Sequence, residues 1–209
     1  MKKTFVALAF ASIGLAAHAE GFYMGAGVGF NKVDNSLSEF NTAMLNAVGG
    51  SIVSTQETGV QNLRLLGGYK INENFAVEVG YVNSSKWDLN FSGVSSGNVA
   101  YNGNGNISFS GLDVAAVVRP GASSGYNNFF ATIGLHNYKA KVGVTFTVNG
   151  TPYTTNTSET GTGTLFGVGY DLKIDKGLDL RFTATRLNKL AGDSDSNTTN
   201  IGIGLIQHF

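Results

Sequence analysis

Ile201-Gly202-Ile203-Gly204-Leu205-Ile206-Gln207-His208-Phe209 closes the chain on a two-residue period. Ile201, Ile203, Leu205 and Phe209 fall on one face, and Gly202, Gly204, Ile206 and His208 on the other. Side chains of a strand point alternately to its two sides, so the stretch reads as a strand lying between two chemically different surroundings. The same alternation recurs upstream. Phe166, Val168, Tyr170, Leu172 and Ile174 oppose Leu165, Gly167, Gly169, Asp171 and Lys173; Phe75, Val77, Val79 and Tyr81 oppose Ala76, Glu78, Gly80 and Val82. Leu178, Leu180, Phe182 and Ala184 oppose Asp179, Arg181, Thr183 and Thr185, and Leu63, Leu65, Tyr69 and Ile71 oppose Asn62, Arg64, Gly68 and Lys70. Less regular strands cover 21–33, 106–119 and 127–148, which brings the count to eight. In the last of these the apolar phase slips near His136 to Ala140, the mark of a β-bulge or of the end of a membrane segment.

The gaps between strands differ in length. Residues 34–59, 92–105, 149–160 and 191–199 are long and polar, 72–74 and 175–177 are tight turns, and 120–126 is intermediate. Short connections at one rim and long loops at the other are the pattern of an all-β, eight-stranded antiparallel up-and-down transmembrane β-barrel with long extracellular loops and short periplasmic turns. A soluble barrel also alternates, with its apolar face inside. Three features favour the membrane form. The face opposite the apolar one carries Arg64, Lys70, Lys173 and Arg181 with Glu78, Asp113, Asp171 and Asp179, which suits a polar lumen and not an apolar interior. Gly is frequent on that face and leaves room for long side chains in a barrel only eight strands wide. Phe22, Tyr69, Phe75, Phe129 and Tyr170 fall near a terminus or short turn, as an aromatic girdle would. Trp87 follows Phe75 by twelve residues on the same face, which would put it about 30 Å away at the outer interface.

Composition agrees. Charged residues make up 13% of the 209 residues, about half the usual share, with 29 Gly. The mean hydropathy of +0.03 is too polar for a helical membrane bundle, and no apolar run after residue 20 approaches the ~18 residues of a spanning helix. Zero Cys excludes disulfides, Cys-ligated metals and a thiol nucleophile, and 14 bases against 14 acids leave no footprint for nucleic acid. Met1, Lys2 and Lys3, the apolar Thr4 to Ala17, and Ala17-His18-Ala19 read as a cleaved Sec-type signal peptide over 1–19, without a lipoprotein Cys. The domain expected after it is 20–209, with twelve bases against fourteen acids.

Gly21 to Gly29 (GFYMGAGVG), Leu66 to Tyr81 (LGGYKINENFAVEVGY) and Gly167 to Leu172 (GVGYDL) resemble the OmpA-like eight-stranded outer-membrane barrel family, and the resemblance spans the mature chain. It implies residence in the Gram-negative outer membrane among membrane lipid and lipopolysaccharide, a monomer, and assembly by periplasmic chaperones and the barrel-assembly machinery. Ile203, Leu205 and Phe209 resemble the family's C-terminal assembly signal, from which Gln207 departs; Thr183 stands where an acid is common. Family members that bind peptidoglycan use a further C-terminal domain, which is not expected here.

Arg64, Glu78, Asp113, Asp171, Lys173 and Arg181 are the expected luminal ion-pair network. Glu78 and Arg181 lie at similar depth on opposed strands, so a long Arg could meet Glu across the axis, either as a gate or as a plug; a lumen just wide enough for side chains favours the plug. Ser36-Leu37-Ser38-Glu39 is a capping box ahead of Phe40, Met44, Leu45 and Val48, with Gly49-Gly50 as a stop, and predicts an amphipathic helix over 36–49. Asp193 to Asn197 begins like a calcium loop, but Thr198 and Gly204 replace its Gly and Glu. Gly-rich runs within strands are not phosphate loops, and neither His136 nor His208 stands in a recognisable nucleophile arrangement. No cofactor, metal or catalytic residue is expected. The reading is a non-enzymatic barrel for envelope integrity and surface interaction with host-cell or extracellular ligands through its loops. A small channel or carrier like the OmpW-like barrels is the alternative, and a lipid-modifying enzyme a remote one.

Overall fold

A computed structural model describes residues 21–33, 37–57, 59–120, 128–194 and 196–209. The expected signal peptide, Ser36 of the capping box and Asp195 of the acidic loop lie outside the described residues. The alternating segments form strands β1 (Phe22–Val33), β3 (Val60–Lys70), β4 (Phe75–Ser84), β6 (Ala100–Val118), β7 (Phe129–Val148), β8 (Thr151–Asp175), β9 (Leu178–Asn188) and β10 (Thr198–His208). Each pairs antiparallel with the next in that order, and β10 returns to β1, Tyr23 opposite His208 and Val33 opposite Thr198, which closes an eight-stranded ring. The remaining strands, β2 (Ser51–Gln56) and β5 (Trp87–Val94), lie outside it: β5 pairs with Ala100 to Ile107 of β6, and β2 pairs with β5.

Outward-facing side chains settle which face is apolar. Val168 is 62% exposed and Ile201 66%, and they belong to a continuous belt with Leu65, Val79, Leu135, Leu172 and Leu205, all large, apolar and open to the surroundings. A water-soluble barrel does not leave such a belt uncovered; lipid covers it here. The interior is packed in two clusters: Tyr23, Leu66, Ala76, Val117, Phe130 and Ile206 in the half near the short turns, and Val82, Phe109, Ala115, Tyr138, Leu165 and Leu187 in the other.

Two of the long gaps are mostly strand. β8 begins at Thr151, β6 at Ala100, and β7 runs unbroken to Val148, so most of 92–105 and 149–160 is paired strand. The thirteen residues of β8 beyond Thr164 carry the sheet about 30 Å above the lipid-facing belt. Alternation fails there because water bathes the outer face and much of the edge, so Thr, Ser, Asn and Gly are tolerated on both sides. The tip, Asn149-Gly150, has φ of 48° and 79°, the paired left-handed conformations of a type I′ hairpin turn.

No bulge interrupts β7. Its register with β6 and β8 is continuous, and the phase slip marks the end of the lipid zone. Phe129, Ala131, Ile133 and Leu135 face outward into lipid, and Asn137, Lys139 and Lys141 continue the same face into water. Beyond that line the inner face turns apolar, with Val142, Val144 and Phe146.

The expected helix is present as α1 (Leu37–Val48), stopped by Gly49 and Gly50 at φ of 64° and 80°. It packs inside the raised sheet. The Phe40 ring lies 5.3 Å from that of Phe91, and Ser54 Oγ donates to Asn41 Oδ1 at 2.6 Å. Leu45 and Val48 remain exposed.

Candidate functional site

The inward phase of the strands directs charge at the barrel axis. Glu78 (β4) and Arg181 (β9) are 1% and 3% exposed, and Arg181 Nη1 donates to Glu78 Oε1 at 2.5 Å. The same guanidinium donates from Nε and Nη2 to the two carboxylate oxygens of Asp171, at 2.7 and 2.9 Å. Arg119 Nη2 reaches Asp171 Oδ2 at 2.6 Å, and the Tyr23 hydroxyl donates to Glu78 at 2.9 Å. The Phe130 ring lies beneath both cations, 4.5 Å from the Arg181 guanidinium carbon and 5.1 Å from that of Arg119. Gly169 makes room for Phe130, since a Cβ there would sit 2.2 Å from the ring. Two carboxylates and two guanidiniums thus balance in one layer, every charge hydrogen-bonded, as burial of ions requires.

A second layer lies nearer the outer side. Arg64 Nη2 donates to Asp113 Oδ1 at 2.6 Å, and the Tyr138 hydroxyl to Asp113 Oδ2 at 3.1 Å. The His136 ring lies tilted against that of Tyr138, centroids 4.5 Å apart, and its Nε2 lies 2.9 Å from the Asn188 carbonyl oxygen. Around Arg64 two cavities remain, of about 30 and 40 Å³, lined in common by Asn62, Arg64 and Asn200. Each has room for a water molecule or two. Arg64 Nε and Asn62 Nδ2, without a protein partner, give such waters acceptors to supply.

Five of the six expected network residues meet in these layers. Lys173 does not: it lies exposed at the periplasmic mouth, and no ion pair is formed by it among the described residues. The rim of the lumen opens there to water, which solvates its ammonium although Asp171 and Asp179 line the same mouth. Arg119 was not anticipated, although it continues the inward phase of Asp113, Ala115 and Val117. Asp179 and His208 also pair at this mouth, 2.8 Å apart.

The aromatic positions divide. Tyr69, Phe75 and Phe129 are at least half exposed on the outward face near the short turns. Phe129 packs edge-on against Tyr170 at 4.7 Å, and Phe22 lies 6.2 Å from Phe209. Trp87 does not belong to an outer girdle. It is 8% exposed, and its indole N–H donates to the Glu57 carbonyl. The chain breaks at Ser85-Lys86 between β4 and β5, which inverts the phase and turns Trp87 inward. Phe30, Tyr81 and Phe166 face outward in the outer part of the belt. Ile203 and Leu205 also face outward, and Phe209 N donates to the Phe22 carbonyl at 3.0 Å, which ties the last residue to the first strand.

A closed eight-stranded ring with a lipid-facing belt, short turns at one rim and an ion-filled lumen defines a transmembrane β-barrel of the bacterial outer-membrane type. Residues 4–209 match the outer membrane protein beta-barrel domain, and the chain belongs to that family, as its OmpA-like stretches implied. The family resides in the Gram-negative outer membrane. Among solved structures, the outer membrane protein OprG of Pseudomonas aeruginosa superposes with a TM-score of 0.51 at 13% identity, over 92% of this chain and 98% of that one. Ail, the attachment invasion locus protein of Yersinia pestis, solved with the heparin analogue sucrose octasulfate, gives 0.49 at 13% identity over 91% and 100%. Neisserial surface protein A gives 0.44 at 16% over 91% and 98%. No protein of curated function matches in sequence.

Proposed function

We propose that the protein is a non-enzymatic outer-membrane barrel whose plugged lumen serves as a rigid foundation for an extracellular sheet that takes part in envelope integrity and surface interaction. The observation that carries this reading is the contrast between the two halves: the lumen is filled by ion pairs and rings, whereas β6, β7 and β8 extend 19, 20 and 25 residues, well beyond the ~10 that cross a membrane. Strand length beyond the bilayer has no use in a plug and much in a surface platform. The platform is ordered by α1 and stays open along the edge of β8, where residues 151–160 are all exposed. Neither luminal histidine hydrogen-bonds a hydroxyl among the described residues, which counts against hydrolytic chemistry.

Two measurements on refolded protein test this. Planar-bilayer recording is expected to give no sustained single-channel current, and a sustained current would transfer the assignment to a small channel. Replacing residues 142–157 by an Asn-Gly turn is expected to abolish binding to host cells or extracellular matrix while leaving the heat-dependent gel shift of the barrel intact. Binding that survives this deletion would remove the platform from the interaction.

A further inference from the structure

Above the lipid-facing belt, the outward phase of the barrel strands carries charge of one sign. Lys139 and Lys141 are the second and third outward positions past Leu135 on β7, and Lys32 and Arg186 are the first past Phe30 and Ala184 on β1 and β9. Within three outward positions of the belt's outer edge, the described barrel strands place no acid on this face. On the β6–β8 side the cations gather. Lys139 lies between Ser110 and Thr160, and Lys141 between Ser108 and Ser158. With Lys86, exposed in the crossing from β4 to β5, they line a depression of about 360 Å³ that holds no carboxylate. Asp88, opposite the lining residue Asn106, flanks the depression on the same face without lining it, and Glu159, opposite Ala140, is on the other face of the sheet.

We propose that this depression binds the phosphate groups of lipid A, the phosphorylated saccharide lipid of the outer leaflet, with Lys86, Lys139 and Lys141 as counterions and Ser108 and Ser158 as hydroxyl partners. The proposal rests on the outer-membrane reading of the barrel. Height selects the ligand: Lys139 lies about 10 Å above Leu135 along a tilted strand, and a lysine stem reaches back along apolar surface to set its ammonium at the phosphate level. Charge selects it too, since no described acid forms an ion pair with these three ammonium groups. Ser, Thr and Asn around them offer the hydrogen bonds that sugar hydroxyls need.

Refolded protein in phosphatidylcholine vesicles is titrated with bisphosphorylated lipid A, and separately with dephosphorylated lipid A. The wild type is expected to bind the phosphorylated form more tightly. Each basic side chain at an anionic membrane surface is worth about fivefold, so the triple variant Lys86→Gln, Lys139→Gln, Lys141→Gln should lose about 100-fold, and Lys176→Gln at the opposite rim should lose none. Lys141→Gln alone should lose about fivefold and serves if the triple variant does not fold. Equal binding by wild type and variant overturns the site. Tighter binding of a soluble sulfated glycan, lost in the same variant, assigns the depression to a glycan and overturns it equally. The heat-dependent gel shift of the wild type in phosphatidylcholine alone reads the membrane-barrel assignment independently.

Discussion

Arg181→Met isolates what the luminal network contributes. The substitution keeps most of the side-chain volume against Phe130 and removes three hydrogen bonds, of 2.5, 2.7 and 2.9 Å, to two carboxylates. Asp171 retains Arg119 at 2.6 Å, but Glu78 keeps only the Tyr23 hydroxyl at 2.9 Å and becomes an uncompensated buried charge. Breaking a buried pair from one side typically costs about 3–5 kcal/mol, and the 1% exposure of Glu78 places this case within that range and not among surface pairs worth under about 1 kcal/mol. Adding Glu78→Gln removes the orphan charge while leaving an acceptor for Tyr23, so the double variant should lose only about 1–2 kcal/mol, chiefly lost hydrogen bonds. Urea unfolding in lipid vesicles, followed by the gel shift, measures both. A single variant within about 1 kcal/mol of wild type, or a double variant no milder than the single, would refute the plug, because either result means that water reaches Glu78.

Three further outcomes follow from the geometry. Trp87 is the only Trp and is packed in protein above the belt, so its fluorescence should be blue-shifted and little quenched by lipids brominated along the acyl chain; strong quenching would return it to an outer girdle. Gly169→Val would drive a Cβ to 2.2 Å from the Phe130 ring and should prevent the native gel shift or cost more than about 3 kcal/mol in urea unfolding, whereas a substitution tolerated without loss would show Phe130 free to move aside. Phe40→Ala removes the ring that packs 5.3 Å from Phe91 and should speed external proteolysis within residues 37–48, with the barrel's unfolding midpoint unchanged.

Alternation made the membrane half of this protein readable because each strand there separates lipid from a polar lumen, so a residue's parity states its face. That is why counting from the short turns brings Glu78 and Arg181 to one depth. The same logic fails where its premise fails. Parity carried along β4 misplaces Trp87, because that strand ends at Ser84 and the two-residue crossing reverses the phase. Residues 151–160 read as a loop because water on both sides removes the pressure to alternate; only their backbone ladder with β7, Thr151 opposite Val148 through Thr160 opposite Lys139, and the Asn149-Gly150 turn declare a strand. Arg119 was obscured by its place beside Pro120, at the point where β6 meets the turn region.

The exchange of polarity on β7 ties the two halves together. Below Asn137 the outside is lipid, so cations and carboxylates collect on the inner face and must neutralise one another in a narrow lumen. Above it the outside is water, and the inner face becomes apolar: Val142, Val144 and Phe146 on β7 continue across to Tyr101, Phe91 and Trp87. An apolar inner face without lipid needs a cover, and α1 supplies one through Phe40. His136, Tyr138 and Asp113 stand at the changeover, with Tyr138 stacked on Phe109 and hydrogen-bonded to Asp113, so a single side chain belongs to the apolar packing above and the ionic packing below. A change in the raised sheet that shifts Tyr138 would therefore be felt first by Arg64 and Asp113, well before it reaches the layer around Arg181.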